Sequence, residues 1–330
     1  MKKRVFFMKL LFGVIVCTLF LGGCAGSRAE EEQILLENGS GKQKLVFGYD
    51  ETEVADLREK VSQTLSEGKP PEPETVEPEI AEADWSEVFD GFHGAAVLYD
   101  ASSMRYTIYN RELAETRRSP CSTFKIISSF IALEDGIIEP AQSLRTWSGE
   151  TFWNENWNHD IDFDEAFRES CVWYFREVID EIGQERMQEA LDRLQYGNRD
   201  ISDWEGRLNT NNSNRALTGF WIESSLEVSP KEQTEVMARI FGDHSVCSKE
   251  TRDALAQVML VEEQSDTDIS IYGKTGMGKA QGVVVDAWFT GFAEKEDEMI
   301  YFCVYLGRTD DKDVTSAAAK EIAVRLLKSF

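Results

Sequence analysis

The sequence predicts an α+β domain: a mainly antiparallel sheet flanked by helices, with an all-helical subdomain inserted. Three observations carry this expectation. "GAAVLYD" and "RYTIYN" read as strands joined by a turn at "ASSM". "ISIYGKTG", "VVVDAWFTGFAE" and "MIYFCVYLG" read as three consecutive strands near the C-terminus. Between the two groups, from about 140 to 260, apolar residues recur at helical spacing, as in "FDEAFRESCVWYFREVIDEI", "ERMQEALDRL" and "SPKEQTEVMARIFG". The chain closes with "SAAAKEIAVRLLKSF", an amphipathic helix. A cleft between sheet and helical insert is the natural place for a site.

The first residues do not read as fold. A basic start (Lys2, Lys3, Arg4, Lys9) precedes an apolar run from Leu10 to Leu21 and the ending Leu21-Gly22-Gly23-Cys24. This is the layout of a secretory signal peptide over 1–23. Small residues before a cysteine resemble a bacterial lipobox, which makes Cys24 the lipidated N-terminus of the mature chain. The other reading is an uncleaved transmembrane anchor, for which the apolar run is short. Both place the remainder outside the cytoplasm, lipid-anchored to a bacterial membrane on the first reading. Residues 24–83 follow as an acidic tether. "GKPPEPETVEPEIAEAD" holds four of the seven prolines among a run of acids, a composition that buries little surface and stays extended. A short helix over 50–65 is left open. The globular domain is expected over 84–330.

Composition narrows the function. A net charge of −25 disfavours nucleic acid as a partner, because phosphate would be repelled. His93, His159 and His244 are widely separated and no C-x-x-C pair occurs, so no metal site and no bound cofactor are expected. Outside the leader, Cys121, Cys171, Cys247 and Cys303 could pair as disulfides, without implying a dense framework.

Chemistry concentrates in "SPCSTFKIISSF", where Ser122 and Lys125 stand three residues apart on one helical face. A serine hydroxyl is a weak nucleophile until a base takes its proton. An amine can be that base if burial lowers its pKa, and Phe124, Val172 and Trp221 are candidates for the apolar surroundings. Three further motifs follow in order: Ser170-Cys171-Val172, Tyr196-Gly197-Asn198 and Lys274-Thr275-Gly276. Singly, each is weak. Ser170 could be an ordinary helix residue, and Tyr196-Gly197-Asn198 a helix-ending turn.

Together, in this order, the motifs resemble the serine penicillin-recognising enzymes. The finer resemblance is to class D (oxacillinase-type) serine β-lactamases, in which the first motif reads S-T-F-K and the second S-x-V, as here. "GFWIESSLEVSP" is similar to the class D segment that supplies an active-site tryptophan, here Trp221. The resemblance covers about 84–330 and implies the serine β-lactamase/penicillin-binding transpeptidase-like fold, with a break between two helices at Ser170. It also implies hydrolysis of β-lactam small molecules through an acyl-enzyme on Ser122. Lys125, carrying a carbon dioxide-derived carbamate, would be general base for both acylation and deacylation. Trp221 would hydrogen-bond that carbamate, and Ser170 would pass a proton to the leaving nitrogen. Backbone N–H groups of Ser122 and Met277 would form the oxyanion hole. Lys274 and Thr275 would attract the substrate carboxylate, and Gly276 would leave room along the strand edge. The last helix lacks the arginine that many class D enzymes use for the carboxylate; Thr315 stands near its place, and Arg308 is the substitute candidate. The alternatives are a transpeptidase-like enzyme and a penicillin-binding sensor that is acylated without efficient turnover.

Overall fold

A computed structural model describes residues 78–330, apart from 208–213, 244, 264–268 and 296–297, together with four short strand segments within residues 10–47. The chain divides into two units, Met1–Val76 and Glu77–Phe330. In the first, Leu10–Leu11 pairs with Val14–Ile15, and Glu32–Asn38 pairs antiparallel with Gly41–Phe47. That hairpin stands where the sequence reading has extended tether. Each strand holds a short continuous apolar run, over 34–36 and 45–47, flanked by polar residues. Cys24 and the open helix over 50–65 lie outside the described residues.

The second unit is the α+β domain expected. Its strands are β1 (Glu79–Glu82), β2 (Gly94–Asp100), β3 (Arg105–Tyr109), β4 (Leu260–Glu263), β5 (Ile269–Ala280), β6 (Val283–Lys295) and β7 (Glu298–Gly307). They form one seven-stranded sheet in the order β1-β3-β2-β7-β6-β5-β4. All pairs are antiparallel except β1–β3. β1 lies in what the sequence reading has as the end of the tether: Ile80 sits opposite Tyr106, and the backbone completes an edge that β3 would otherwise expose.

Strand periodicity divides the side chains between the two faces of the sheet. Ala96 and Leu98 point to the face covered by the C-terminal helix, while Ala95 and Val97 point to the other, with Trp288 and Tyr305. The C-terminal helix α9 (Ser316–Ser329) starts where the Thr315 hydroxyl accepts a hydrogen bond from Ala318 N–H at 3.1 Å. It buries Ala319, Ile322, Ala323, Leu326 and Leu327, one stripe at helical spacing. Two four-residue helices complete this half, α1 (Ser86–Phe89) and α2 (Arg111–Ala114).

The helical insert lies between β3 and β4. It contains α3 (Lys125–Glu134), α4 (Phe163–Arg168), α5 (Val172–Ile182), α6 (Gln184–Leu194), α7 (Pro230–Phe241) and α8 (Lys249–Met259). The α3 helix is buried on every side from Lys125 to Ala132, so it forms the centre of the insert. The α7 helix opens with a reciprocal cap: the Ser229 hydroxyl accepts from Glu232 N–H, and the Glu232 carboxylate accepts from Ser229 N–H. Neither α8 nor β4 is evident in the sequence pattern. Among the described residues, no helix is long and apolar enough to cross a membrane. Cys121, Cys171, Cys247 and Cys303 are all free thiols.

Candidate active site

The "PCSTFK" stretch folds as two helix types in succession. Pro120 begins a 3-10 turn over Cys121–Phe124, and α3 continues from Lys125. A 3-10 turn stacks residues three apart. Ser122 and Lys125 are therefore superposed, and Lys125 Nζ donates to Ser122 Oγ at 3.1 Å. The sequence reading places the pair on one helical face; the tighter 3-10 turn brings them into register. The turn is anchored from behind, where Cys121 N–H and Ser119 Oγ both donate to the Trp221 carbonyl, at 2.9 and 3.0 Å.

Lys125 is only 1% exposed. Its Nζ sits 5.3 Å from the centre of the Phe175 ring, an apolar neighbour the sequence motifs do not reveal. Burial penalises the ammonium, and the pKa drops from 10.5 to about 8. Of the three residues expected to surround the amine, Phe124 is fully buried and Val172 half-buried. Trp221 is fully buried and stacks on Phe124 at 6.1 Å, outside the residues that line the cleft.

The second motif sits in the predicted break. The α4 helix ends at Arg168 and α5 begins at Val172, and Ser170 between them has φ 55°. That left-handed residue turns the chain and points its hydroxyl at Lys274, whose Nζ donates to Ser170 Oγ. Lys274 is 4% exposed, and its Nζ also lies 5.7 Å from the Phe167 ring. Its pKa falls from 10.5 to about 7, through burial first and the nearby charge of Lys125 second, with Glu169 opposing. The amine expected to attract a substrate carboxylate is thus engaged with Ser170 and set back from the cleft surface.

The cleft encloses about 350 Å³ and is lined by Ser122, Ser170, Val172, Thr275, Gly276 and Met277, among others. Its floor is a free strand edge. β5 pairs with β6 along its length, but β4 covers its other edge only as far as Tyr272. Lys279 N–H points away from β6, because it donates to Glu223 Oε1 at 2.6 Å. Amide directions repeat every second residue of a strand, so Thr275 and Met277 N–H face the cleft as well. Gly276 also packs closely against the turn that carries Ser122. A Cβ there would meet Thr123 Cγ2 at 3.0 Å and the Pro120 carbonyl at 3.1 Å. Its bare backbone makes room for the nucleophile turn, and it lines the cleft beside Thr275 and Met277 as well.

The third motif is structural. Gly197 has φ 52°, and a Cβ on it would lie 2.0 Å from the Glu227 carbonyl. Asn198 ties this turn to the Trp221 segment: its N–H donates to Glu227 O at 2.9 Å and its side-chain amide to Ser225 O at 2.8 Å. Tyr196 is fully buried, edge-on to Phe124 at 5.7 Å.

Arg308 does not join the site. Beyond the end of β7 its N–H donates to Val285 O at 2.8 Å, and its side chain pairs with Asp313 at 2.8 Å. Ser316, at the start of α9, lines the cleft from that side instead. Cleft residues the sequence motifs miss are Trp153, Trp157, Glu169, Glu223 and Lys279. Lys279 Nζ lies 5.1 Å from the Trp153 ring, a cation at the cleft wall five positions along the strand from Lys274. The alternating direction of "KTGMGK" could have pointed to it, and Glu223 stands two residues past Trp221 in the segment the resemblance singles out; Trp153 and Trp157 arrive from a distant segment with no local signal. Among the described residues, no group of histidine, cysteine and acidic side chains could hold a metal ion.

Comparison with known proteins fits this geometry. The family model for the penicillin binding protein transpeptidase domain matches residues 94–328. Regulatory protein BlaR1 of Bacillus licheniformis is 30% identical over 74% of this chain, which spans 38% of that protein's length. Probable beta-lactamase YbxI of Bacillus subtilis is 30% identical, covering 73% of this chain and 82% of that one. Among solved structures, the C-terminal domain of the Bacillus licheniformis BlaR penicillin-receptor superposes with TM-score 0.67 at 29% identity, covering 76% of this chain and 96% of that one. A class D beta-lactamase from Bacillus subtilis gives 0.65 at 29% identity, covering 75% and 95%. The chain therefore belongs to the penicillin binding protein transpeptidase domain family, within the class D serine β-lactamases and their relatives among the penicillin-recognising enzymes.

Proposed function

We propose that this chain hydrolyses β-lactams through an acyl-enzyme on Ser122. The observation that carries this is the buried Lys125 amine, 3.1 Å from Ser122 Oγ, with its pKa lowered to about 8. A base of that strength accepts the serine proton as Oγ attacks the lactam carbonyl. The carbonyl oxygen sits between Ser122 and Met277 N–H, which meet the developing negative charge. Ser170 Oγ, hydrogen-bonded to Lys274, is positioned to hand a proton to the departing lactam nitrogen. Lys274 then replenishes Ser170.

The residues around Lys125 suit a carbamate formed from carbon dioxide. A neutral amine is the form that reacts, and burial favours it. Ser129, one helical turn on and on the same face, has a buried hydroxyl with no hydrogen-bond partner among the described residues. When present, the carbamate would supply an anionic general base for acylation and for the water of deacylation. Trp221 stays the candidate donor toward it. We also read Cys24 as the lipidated residue that tethers the domain outside the cytoplasm.

A second reading is favoured by the match to the penicillin-receptor domain: a protein acylated at Ser122 without efficient turnover. Purified protein mixed with a chromogenic cephalosporin, with and without bicarbonate, separates the two. Sustained hydrolysis that rises with bicarbonate is the expected result. A single stoichiometric burst with a stable adduct on Ser122 selects the receptor reading, and no adduct at all refutes both.

A further inference from the structure

The cleft contains a carboxylate that the serine–lysine chemistry does not use. Glu223 follows the Trp221 segment with φ 50°, a left-handed conformation that disfavours any residue with a side chain. Two hydrogen bonds hold it there. Its N–H donates to Ser119 Oγ at 2.9 Å, and its Oε1 accepts from Lys279 N–H at 2.6 Å. The first bond reaches the segment that leads into Ser122. The second reaches the free edge of β5, two residues beyond Met277. Ser119 Oγ also donates to the Trp221 carbonyl, which accepts from Cys121 N–H as well. One connected network therefore joins both walls of the cleft: the turn that carries Ser122 N–H and the strand that carries Met277 N–H. Among the described residues, no strand pairs with that edge of β5 past Tyr272. The Glu223 carboxylate takes the place of a pairing strand by accepting one of its amide bonds, at 2.6 Å.

We propose that Glu223 is a positioning residue for acylation: its carboxylate clamps the free edge of β5 to the Ser119–Ser122 turn and thereby fixes the spacing of the Ser122 and Met277 amides. This rests on the oxyanion role given to those amides above. An anion pocket works only if its donors are set before charge develops, so loosening one wall acts on the reaction step more than on binding. Glu223 has no need to touch substrate for this. The left-handed backbone shows that local conformational preference is overridden at this position.

Glycine at 223 removes the carboxylate and relieves the backbone, so Glu223→Gly separates clamp from fold. Expected for E223G is a fall in the acylation rate constant of Ser122 on the order of a hundredfold, comparable to losing one oxyanion donor. The pre-covalent dissociation constant for the same penicillin stays within about threefold, and the melting temperature is unchanged or raised. Glu223→Gln keeps an acceptor oxygen at the same reach and should retain acylation within about fivefold. In parallel, the NMR order parameter of the Met277 amide should drop in E223G from a rigid value near about 0.85 to below about 0.6. E223G acylating at the wild-type rate, or E223Q losing as much as E223G, overturns the proposal. Should the wild type accept no β-lactam at all, the functional reading fails; the Met277 amide still decides the clamp, and an unchanged order parameter refutes it.

Discussion

Replacing Lys125 by methionine should make the protein more stable while removing its activity. The amine is fully enclosed, and its pKa falls from 10.5 to about 8 because burial penalises the charge. At about 1.4 kcal/mol for each unit of pH, that fall represents about 3 kcal/mol of folding stability forgone. Methionine fills a similar volume without a charge, at the loss of one hydrogen bond to Ser122 worth about 1 kcal/mol. Relief of the repulsion felt by Lys274 acts in the same direction. The net gain at pH 7 is about 2 kcal/mol, or roughly 4–8 °C in melting temperature for a domain of this size. The pH dependence distinguishes charge burial from simple repacking. Below pH 8 both folded and unfolded wild type hold the proton, and the full cost is present. Between 8 and 10.5 the folded state has released it while the unfolded chain keeps it, so wild-type stability rises with pH and the advantage of K125M shrinks. Above 10.5 only the packing difference is left. Unfolding of both proteins in carbon dioxide-free buffer at pH 7, 9 and 10.5 measures this. A variant no more stable than wild type at pH 7, or a gap independent of pH, would refute the buried-amine reasoning.

Other expectations rest on the same geometry. The acylation rate in carbon dioxide-free buffer should rise about tenfold per pH unit up to about 8 and then level off, as Lys125 loses its proton; a flat stopped-flow profile from pH 6 to 9 removes Lys125 as the base. Gly276→Ala places a methyl against Thr123 and Pro120, so it should slow acylation at least tenfold and cost about 1–2 kcal/mol in stability; wild-type acylation would show that the turn yields freely. Lys279→Ala should raise KM for an anionic β-lactam about two- to fivefold, whereas Arg308→Ala should leave it unchanged; the reverse ranking in steady-state kinetics would restore Arg308 as the anchor. Cys24→Ala should abolish incorporation of labelled fatty acid in cells, and retained label would exclude lipidation at that residue.

The sequence alone determined the sheet strands flanking the motifs, the closing helix and the order of the chemical motifs. Those features depend on local periodicity and on the identity of a few residues, both of which can be read along the chain. Ser122 with Lys125 was legible because three positions along a helix bring side chains together whatever surrounds them. The edge strands Glu79–Glu82 and Leu260–Glu263 were not legible, since a four-residue strand gains its stability from the neighbour it pairs with. Tertiary structure alone decided the rest of the site. It set Phe175 beside Lys125, engaged Lys274 with Ser170 and turned Arg308 toward Asp313. It also gave the space at Gly276 to the nucleophile turn and brought Glu223 across to β5. The physical reason is common to all of these. Desolvation, charge pairing and the closure of a free strand edge are properties of groups far apart in the chain, and only packing brings them together.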